Sequence, residues 1–174
     1  EAVTPIANLA LNLNYQKRLP GIHLAIGLYS LWVEENYPEG LRHIDEVSKI
    51  SERVDDWMSL YMPLWASAFY LAARLSLKCE FEKGVKYTNK SLDLSNSAND
   101  LIGIAFSKSC ESMNYAFQGK IKEAYKKSEE TMQKAKEIGT MYVEGGAYVT
   151  YGTCCYFKGL SDRAEADLLK GLDF

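Results

Sequence analysis

The sequence contains few side chains able to hold a metal ion, and none at a metal-binding spacing. Its four cysteines, Cys79, Cys110, Cys154 and Cys155, form no Cys-x-x-Cys pair, and there are only two histidines. A structural zinc site needs closely spaced pairs of such ligands. We therefore expect no metal and no other cofactor, and we interpret the cysteines as reduced, buried thiols.

An excess of positive charge is also absent, because 20 Lys and Arg stand against 23 Asp and Glu. Phosphate backbones and anionic lipids attract clustered Lys and Arg, so we expect neither nucleic acid nor a membrane as partner. No segment reaches the roughly 18 apolar residues of a membrane span, and the N-terminus lacks the charged and apolar segments of a secretory signal. The sequence favours a cytoplasmic protein.

Motifs for nucleotide binding and nucleophilic catalysis are missing as well. Neither GxGxxG nor GxxxxGK followed by Ser or Thr occurs, and a Ser or Cys nucleophile would need a base beside it. His23 lies near a predicted helix start and His43 lies between charges on a predicted outer helix, so we interpret both as isolated, structural or exposed residues. Asp55 and Asp56 lack the third acid of a helical metal-binding motif and are interpreted as a connection. The sequence predicts no enzyme.

An internal repeat is the main feature that the sequence does contain. A turn-like cluster followed by a small residue recurs four times, and the small residues are 44, 40 and 40 positions apart. These small residues are Gly40, Gly84, Ala124 and Ala164. Twelve positions earlier, the same spacing gives Leu28, Ala72, Ser112 and Gly152. Two sets of mostly small residues on either side of one turn suit a hairpin of closely approaching helices, and this period is typical of helical repeats.

Apolar residues between the turns follow the i, i+3, i+4, i+7 spacing of amphipathic helices. The pattern predicts first helices near 21–34, 62–78, 99–117 and 140–157. It predicts second helices near 38–53, 81–95, 120–137 and 160–173. Three glycines suit the left-handed position that ends a helix, namely Gly119, Gly139 and Gly159. Thr140 and Ser97, the latter with Asp100 three residues on, suit N-caps.

These elements predict a single repeat domain over 1–174. Its repeats are expected near 21–56, 60–96, 99–138 and 140–174, and 5–17 reads as a partial repeat. We therefore expect a fragment of a longer array. The four extra residues between the first two repeats are assigned to Asp55 to Pro63, where Pro63 would start the next helix or kink it.

Small residues flanking each turn, with an aromatic or aliphatic residue three before the second one, resemble the tetratricopeptide repeat. The residues that carry this likeness, besides the small ones, are Tyr37, Phe81, Ile121, Gly119 and Gly159. The chain is most similar to the longer repeats, of about 40 residues, in sensor arms of bacterial multidomain signalling proteins. The resemblance implies an all-α fold of antiparallel helix hairpins stacked as a right-handed superhelix, an α-α solenoid.

The resemblance also implies a concave surface lined by the first helices. Transferred by the repeat spacing, this surface comprises Ala25, Tyr29, Trp32, Phe69, Ala73, Ser76, Ser109, Met113, Ala116, Val149, Thr153 and Tyr156. Aromatic and methionine side chains suit an apolar helix face or an extended peptide. The same aromatics at helical spacing also suit core between helices, and the sequence leaves that choice open.

We therefore expect a protein or peptide interaction module, a scaffold or sensor arm of a larger bacterial signalling or regulatory protein. Its partner would be another protein, a peptide or other domains of its own parent chain. Two alternatives remain open. One is a sensor for a small molecule or signalling peptide, and the other is a spacer or self-association surface.

Overall fold

A computed structural model of the protein describes residues 17–51 and 57–174, together with residues 5, 8, 9, 12, 13 and 53. These residues form α-helices and no β-strand, which confirms the all-α class. The helices are α1 (Leu19–Trp32), α2 (Tyr37–Ser51), α3 (Trp57–Leu77), α4 (Phe81–Ala98), α5 (Leu101–Phe117), α6 (Ile121–Ile138), α7 (Met141–Phe157) and α8 (Ser161–Leu172). The partial repeat expected at 5–17 lies largely outside the described residues, as do Asp55 and Asp56.

The chain forms two compact units, residues 1–70 and residues 71–174. In the first unit, α1 packs against α2. In the second unit each helix from α4 to α8 packs against the next one along the chain, and α5 also packs directly against α7. Helices joined by turns of two to four residues and packed together are helix hairpins. The predicted hairpins are therefore present, and the first helices of the last two pairs lie side by side.

The turns inside the hairpins repeat one backbone conformation at the predicted spacing. Each contains a left-handed residue, and these residues are Glu35, Cys79, Gly119 and Gly159, with φ of 54°, 62°, 75° and 83°. In the last three turns, the next N–H donates to the carbonyl five residues before it, with N···O distances of 2.9, 3.0 and 3.0 Å. This is the Schellman pattern, which satisfies carbonyl groups at a helix end. The repeat thus extends to individual hydrogen bonds.

The turns between hairpins are shorter. They confirm the predicted caps at Gly139 and Thr140, the latter as the N-cap residue of α7, and they correct the cap predicted at Ser97. Gly139 ends α6 with φ of 69°, as predicted, and Asn99 occupies the corresponding position with φ of 52°. The N-cap of α5 is Asp100, whose carboxylate accepts a hydrogen bond from the Gly103 N–H at 3.0 Å. Ser97 is not an N-cap, because it lies inside α4 and its hydroxyl donates to a carbonyl of the preceding turn.

Small residues bring the two helices of three hairpins into close contact. A Cβ on Gly84 would lie 3.4 Å from the Ala72 carbonyl oxygen, and a Cβ on Gly152 would lie 3.2 Å from the Ala164 carbonyl oxygen. In the first hairpin, the backbone atom closest to a Cβ on Gly40 belongs to Gly27 rather than to Leu28. The reason is the first turn, which has four residues where the others have three. One additional residue shifts the contact by one position.

The insertion in the second repeat lengthens a helix. By the 40-residue spacing from α5, α3 would begin near 61, but it begins at Trp57. Pro63 therefore lies inside α3 instead of starting it, and its carbonyl accepts a hydrogen bond from the Ser67 hydroxyl at 2.6 Å. Part of the four-residue insertion has become an additional first turn of α3.

The interior of the second unit combines an apolar cluster with small polar side chains. Asn114 is almost fully buried, donates to the Thr88 hydroxyl at 2.8 Å and accepts from the Ser76 hydroxyl. The thiols of three cysteines are buried, but Cys79 is exposed, which corrects the prediction for that residue. Buried polar groups that bond one another avoid the cost of unsatisfied polar atoms, and they link α3, α4 and α5.

Candidate functional site

The structure places the twelve predicted surface residues on the first helices of the pairs, with different exposures. The exposed ones are Ala25, Tyr29, Trp32, Val149 and Tyr156. The half-buried ones are Phe69, Ala73, Met113 and Thr153. Ser76, Ser109 and Ala116 are buried, and Ser76 is bonded to the carbonyl oxygen of Ala72 at 2.8 Å. The three buried positions belong to helix packing, because a ligand on the surface would not reach them.

The exposed side of α7 is apolar. Tyr142, Val149 and Tyr156 follow one another at intervals of seven residues, which places them on one side of a helix. Their exposed fractions are 72%, 42% and 65%. Thr153 lies on the same side, and its hydroxyl donates to the Val149 carbonyl at 2.8 Å. The polar group of Thr153 is thus engaged within the helix, so mostly ring and methyl surface is offered to a partner.

Helix α5 continues this surface beside α7. The Phe106 ring packs against the Tyr142 ring with centroids 5.0 Å apart. Gly146 permits this contact, because a Cβ there would lie 3.0 Å from the Phe106 ring. Ile102 lies one turn before Phe106 and is exposed, and Met113 lies two turns after it and is half-buried. We call this surface the α5–α7 face, which consists of Ile102, Phe106, Met113, Tyr142, Val149 and Tyr156.

Sequence reasoning missed three residues of the α5–α7 face, namely Ile102, Phe106 and Tyr142. Two signals could have found Tyr142 and Ile102. Tyr142 precedes Val149 by seven residues, and Ile102 precedes Tyr142 by one 40-residue repeat. In the first unit, Ala25, Tyr29 and Trp32 follow the i, i+4, i+7 spacing on α1, and all three are exposed.

The first unit also holds a pair of histidines that the sequence did not predict. His23 on α1 and His43 on α2 are buried, and their Nδ1 atoms are 2.8 Å apart. They are therefore neither isolated nor exposed, because the α1–α2 hairpin brings together side chains twenty positions apart. Glu39 Oε1 lies 3.1 Å from His43 Nε2, and Arg42 Nη2 lies 3.0 Å from the same nitrogen.

The electrostatics of this pair favour neutral imidazoles beside a charged carboxylate. Burial lowers the pKa of His23 below its ordinary value of 6.5, and the neighbouring His43 lowers it further. Burial and the charge of Arg42 lower the pKa of His43. The hydrogen bond from Arg42 lowers the pKa of Glu39 to about 2. The carboxylate is thus charged at neutral pH, while both rings are uncharged.

A cleft of about 120 Å³ lies between α4 and α5. Thr88 and Asn114 are among the residues that line it, and they bond each other. The Thr88 hydroxyl also donates to the Gly84 carbonyl at 3.0 Å. The most buried polar groups of the cleft are therefore engaged within the protein.

The described ranges contain no group of three or more His, Cys, Asp and Glu side chains that could hold a metal ion. Among the same residues, no helix combines the length and the apolar character that crossing a membrane requires. No protein-family model matches the chain, and no curated protein sequence matches it. Function must therefore be inferred from the surfaces themselves.

Proposed function

We propose that the chain is a tetratricopeptide-like array that binds a protein or peptide segment on the apolar side of its first helices. In this proposal it is a scaffold or sensor arm of a larger, cytoplasmic bacterial signalling protein. The α5–α7 face is the single observation that carries the proposal. It combines two parallel-running first helices with large apolar side chains that are exposed to solvent.

Repetition of the hairpin supports the array. Equivalent turns recur every 40 residues in the second unit with the same hydrogen bonds, and α5 contacts α7 directly. A stacked array needs that contact, because each repeat must bury its side against the next one. The right-handed superhelix and its concave side belong to the proposal.

The chemistry of the α5–α7 face favours an apolar segment as ligand. Tyrosine side chains supply much of the energy of protein interfaces, because they bury a large area and keep a polar tip. Met113 adds an adaptable side chain that fits different shapes. A groove of this kind accepts an amphipathic helix or an extended peptide with apolar anchors.

A selection from a displayed peptide library tests this proposal. Enriched peptides would be synthesised, and their affinities measured by fluorescence anisotropy for the wild type and for Tyr142→Ala and Tyr156→Ala. Loss of one interface tyrosine should weaken binding by about tenfold or more, which corresponds to at least about 1.4 kcal/mol. Leu169→Ala is the matched control, because Leu169 is an exposed apolar residue on α8.

Two results would count against peptide binding on the α5–α7 face. One is that no peptide is enriched. The other is that the enriched peptides bind both tyrosine variants and the wild type equally well. If the protein's mass in solution then rises with concentration, a self-association surface becomes the better explanation.

A further inference from the structure

The α1–α2 hairpin holds its two histidines in contact because glycines allow the helices to approach. A Cβ on Gly27 would lie 3.2 Å from both the Gly40 carbonyl oxygen and the His43 Cβ. His23 lies one helical turn before Gly27, and His43 lies about one turn after Gly40. The two rings are therefore opposite each other just beyond the closest approach of the helices, with centroids 5.0 Å apart.

The contact between the two Nδ1 atoms requires one proton between them, since one nitrogen must donate and the other accept. If His23 donates, His43 carries its own proton on Nε2 and donates it to Glu39. If His43 donates, its Nε2 is bare and accepts from Arg42. The structure has a partner for His43 Nε2 in each arrangement. Glu39 Oε1 lies 3.1 Å from this nitrogen and can accept its proton, and Arg42 Nη2 lies 3.0 Å from it and can donate.

The number of protons that the two histidines can bind while they stay in contact is limited. One additional proton produces an imidazolium that can still donate to its neighbour, and Glu39 can balance its charge. A second additional proton makes both Nδ1 atoms donors, so two N–H groups and two positive charges would face each other at 2.8 Å. The folded hairpin can therefore keep the contact with at most one additional proton, whereas an unfolded chain takes up two.

Among the residues that the structure describes, the charged groups that act on the pair come from α2. Glu39 faces His43, Arg42 acts on both rings, and Glu46 acts on both rings from the next turn. The two carboxylates raise the histidine pKa and so favour the protonated rings, while Arg42 lowers the pKa of both rings. Burial has the largest effect. It lowers the pKa of both rings, so both histidines are neutral near pH 7.

We propose that His23 and His43 form a proton-sensitive latch, which holds the α1–α2 hairpin closed near neutral pH and releases it in mild acid. The latch does not depend on what the protein binds. Tyr29 and Trp32 are exposed on α1, so release of the hairpin also changes the position of that part of the predicted surface.

The direction of the pH dependence follows from the proton count. The unfolded histidines take up protons as the pH falls through about 6.5. The folded pair takes them up at lower pH, so the unfolded state binds more protons within this window. Stability of the hairpin is therefore complete above about pH 6.5 and decreases as the pH falls below it. Each proton by which the states differ changes the unfolding constant by up to about tenfold per pH unit.

The two histidines and the three tryptophans allow the protonation of the pair and the unfolding of the hairpin to be measured separately. It contains two histidines, so a side-chain NMR titration of the intact chain yields one imidazole signal for each. All three tryptophans, Trp32, Trp57 and Trp65, lie in residues 1–70. Tryptophan fluorescence therefore reports on the surroundings of residues in 1–70, and no tryptophan lies in residues 71–174.

The first experiment is the NMR titration of the wild type. We expect the two imidazoles to titrate as a coupled pair, with the second step below pH 6.5. In His43→Asn, the remaining His23 should titrate closer to the ordinary value, because it has lost the neighbouring ring. Independent titration of both wild-type rings at or above pH 6.5 would overturn the latch, and this result does not depend on any variant folding.

The second experiment is urea unfolding followed by tryptophan fluorescence between pH 7.5 and 5.5. The wild-type midpoint should fall with pH in this range. In the double variant His23→Asn, His43→Asn it should stay nearly constant, because asparagine places an amide near the Nδ1 position and does not titrate. An unchanged pH dependence in a folded double variant would assign the effect to other groups and contradict the proposal.

Discussion

The turn of the second hairpin holds a residue with a side chain in a left-handed conformation. Cys79 has φ of 62°, whereas glycines occupy the corresponding positions of the next two hairpins. The hydrogen bonds of the three turns are the same. A left-handed conformation costs an L-residue about 1–2 kcal/mol, and glycine avoids most of this cost. Cys79 is exposed, so its side chain contributes little packing.

Replacing Cys79 by glycine should therefore stabilise the protein. The change relieves about 1–2 kcal/mol of backbone strain. The greater freedom of glycine in the unfolded chain offsets about 0.4–1 kcal/mol of this gain. A net increase of about 0.5–1 kcal/mol in the free energy of unfolding remains, and the melting temperature should rise by about 2–4 °C per kcal/mol for a chain of this size.

Cys79→Ala is the matched control, because it removes the thiol and keeps the left-handed cost. Urea unfolding followed by far-UV circular dichroism should show a gain for Cys79→Gly and almost none for Cys79→Ala. Gly119→Ala is the opposite change at the equivalent turn and should destabilise by about 1 kcal/mol. If Cys79→Gly is no more stable than Cys79→Ala, the turns are not equivalent and the backbone argument is wrong.

Three further predictions concern the second unit. Ala124→Leu should cost roughly 1–3 kcal/mol in urea unfolding, because the residue is fully buried where two helices meet, whereas Ala166→Leu on the exposed side of α8 should be nearly neutral. Asn114→Ala should cost about 1–3 kcal/mol in the same assay, because its buried bonding partners lose a hydrogen bond, and a neutral result would show that water replaces it. A thiol reagent should label one cysteine rapidly in the native protein, Cys79, and all four after unfolding. Burial raises the pKa of the Cys110 thiol to about 11, and a second fast thiol would contradict the burial of the other three.

The candidate surface was only partly predictable. The repeat spacing correctly located the first helices, and the structure exposes Val149 and Tyr156 on α7. The surface predicted from the repeat spacing also included buried residues such as Ser76. Equivalent positions in successive repeats do not reveal how far each helix is rotated toward its neighbour. Tyr142 is not among the twelve surface residues predicted from the sequence, yet it is the most exposed member of the α5–α7 face.

Local errors have a similar cause. Ser97 and Asp100 are both good N-cap residues, and a difference of a single turn of helix decides which one is used. The repeat period showed that four residues had been inserted before Phe69, but it carried no information on whether they formed a loop or an additional turn of α3. Only the structure therefore revealed that α3 begins at Trp57.

The sequence by itself determined the helices, their pairing into hairpins and the left-handed positions of Gly119, Gly139 and Gly159. These features depend on neighbours within about one helical turn and on a period that repeats them, so a linear pattern contains them. Only the tertiary structure decided which side chains meet across a hairpin. Each residue rotates a helix by about 100°, so one additional residue in the first turn changes which side chains meet across that hairpin. That rotation brings Gly27 rather than Leu28 against Gly40, and it places His23 against His43.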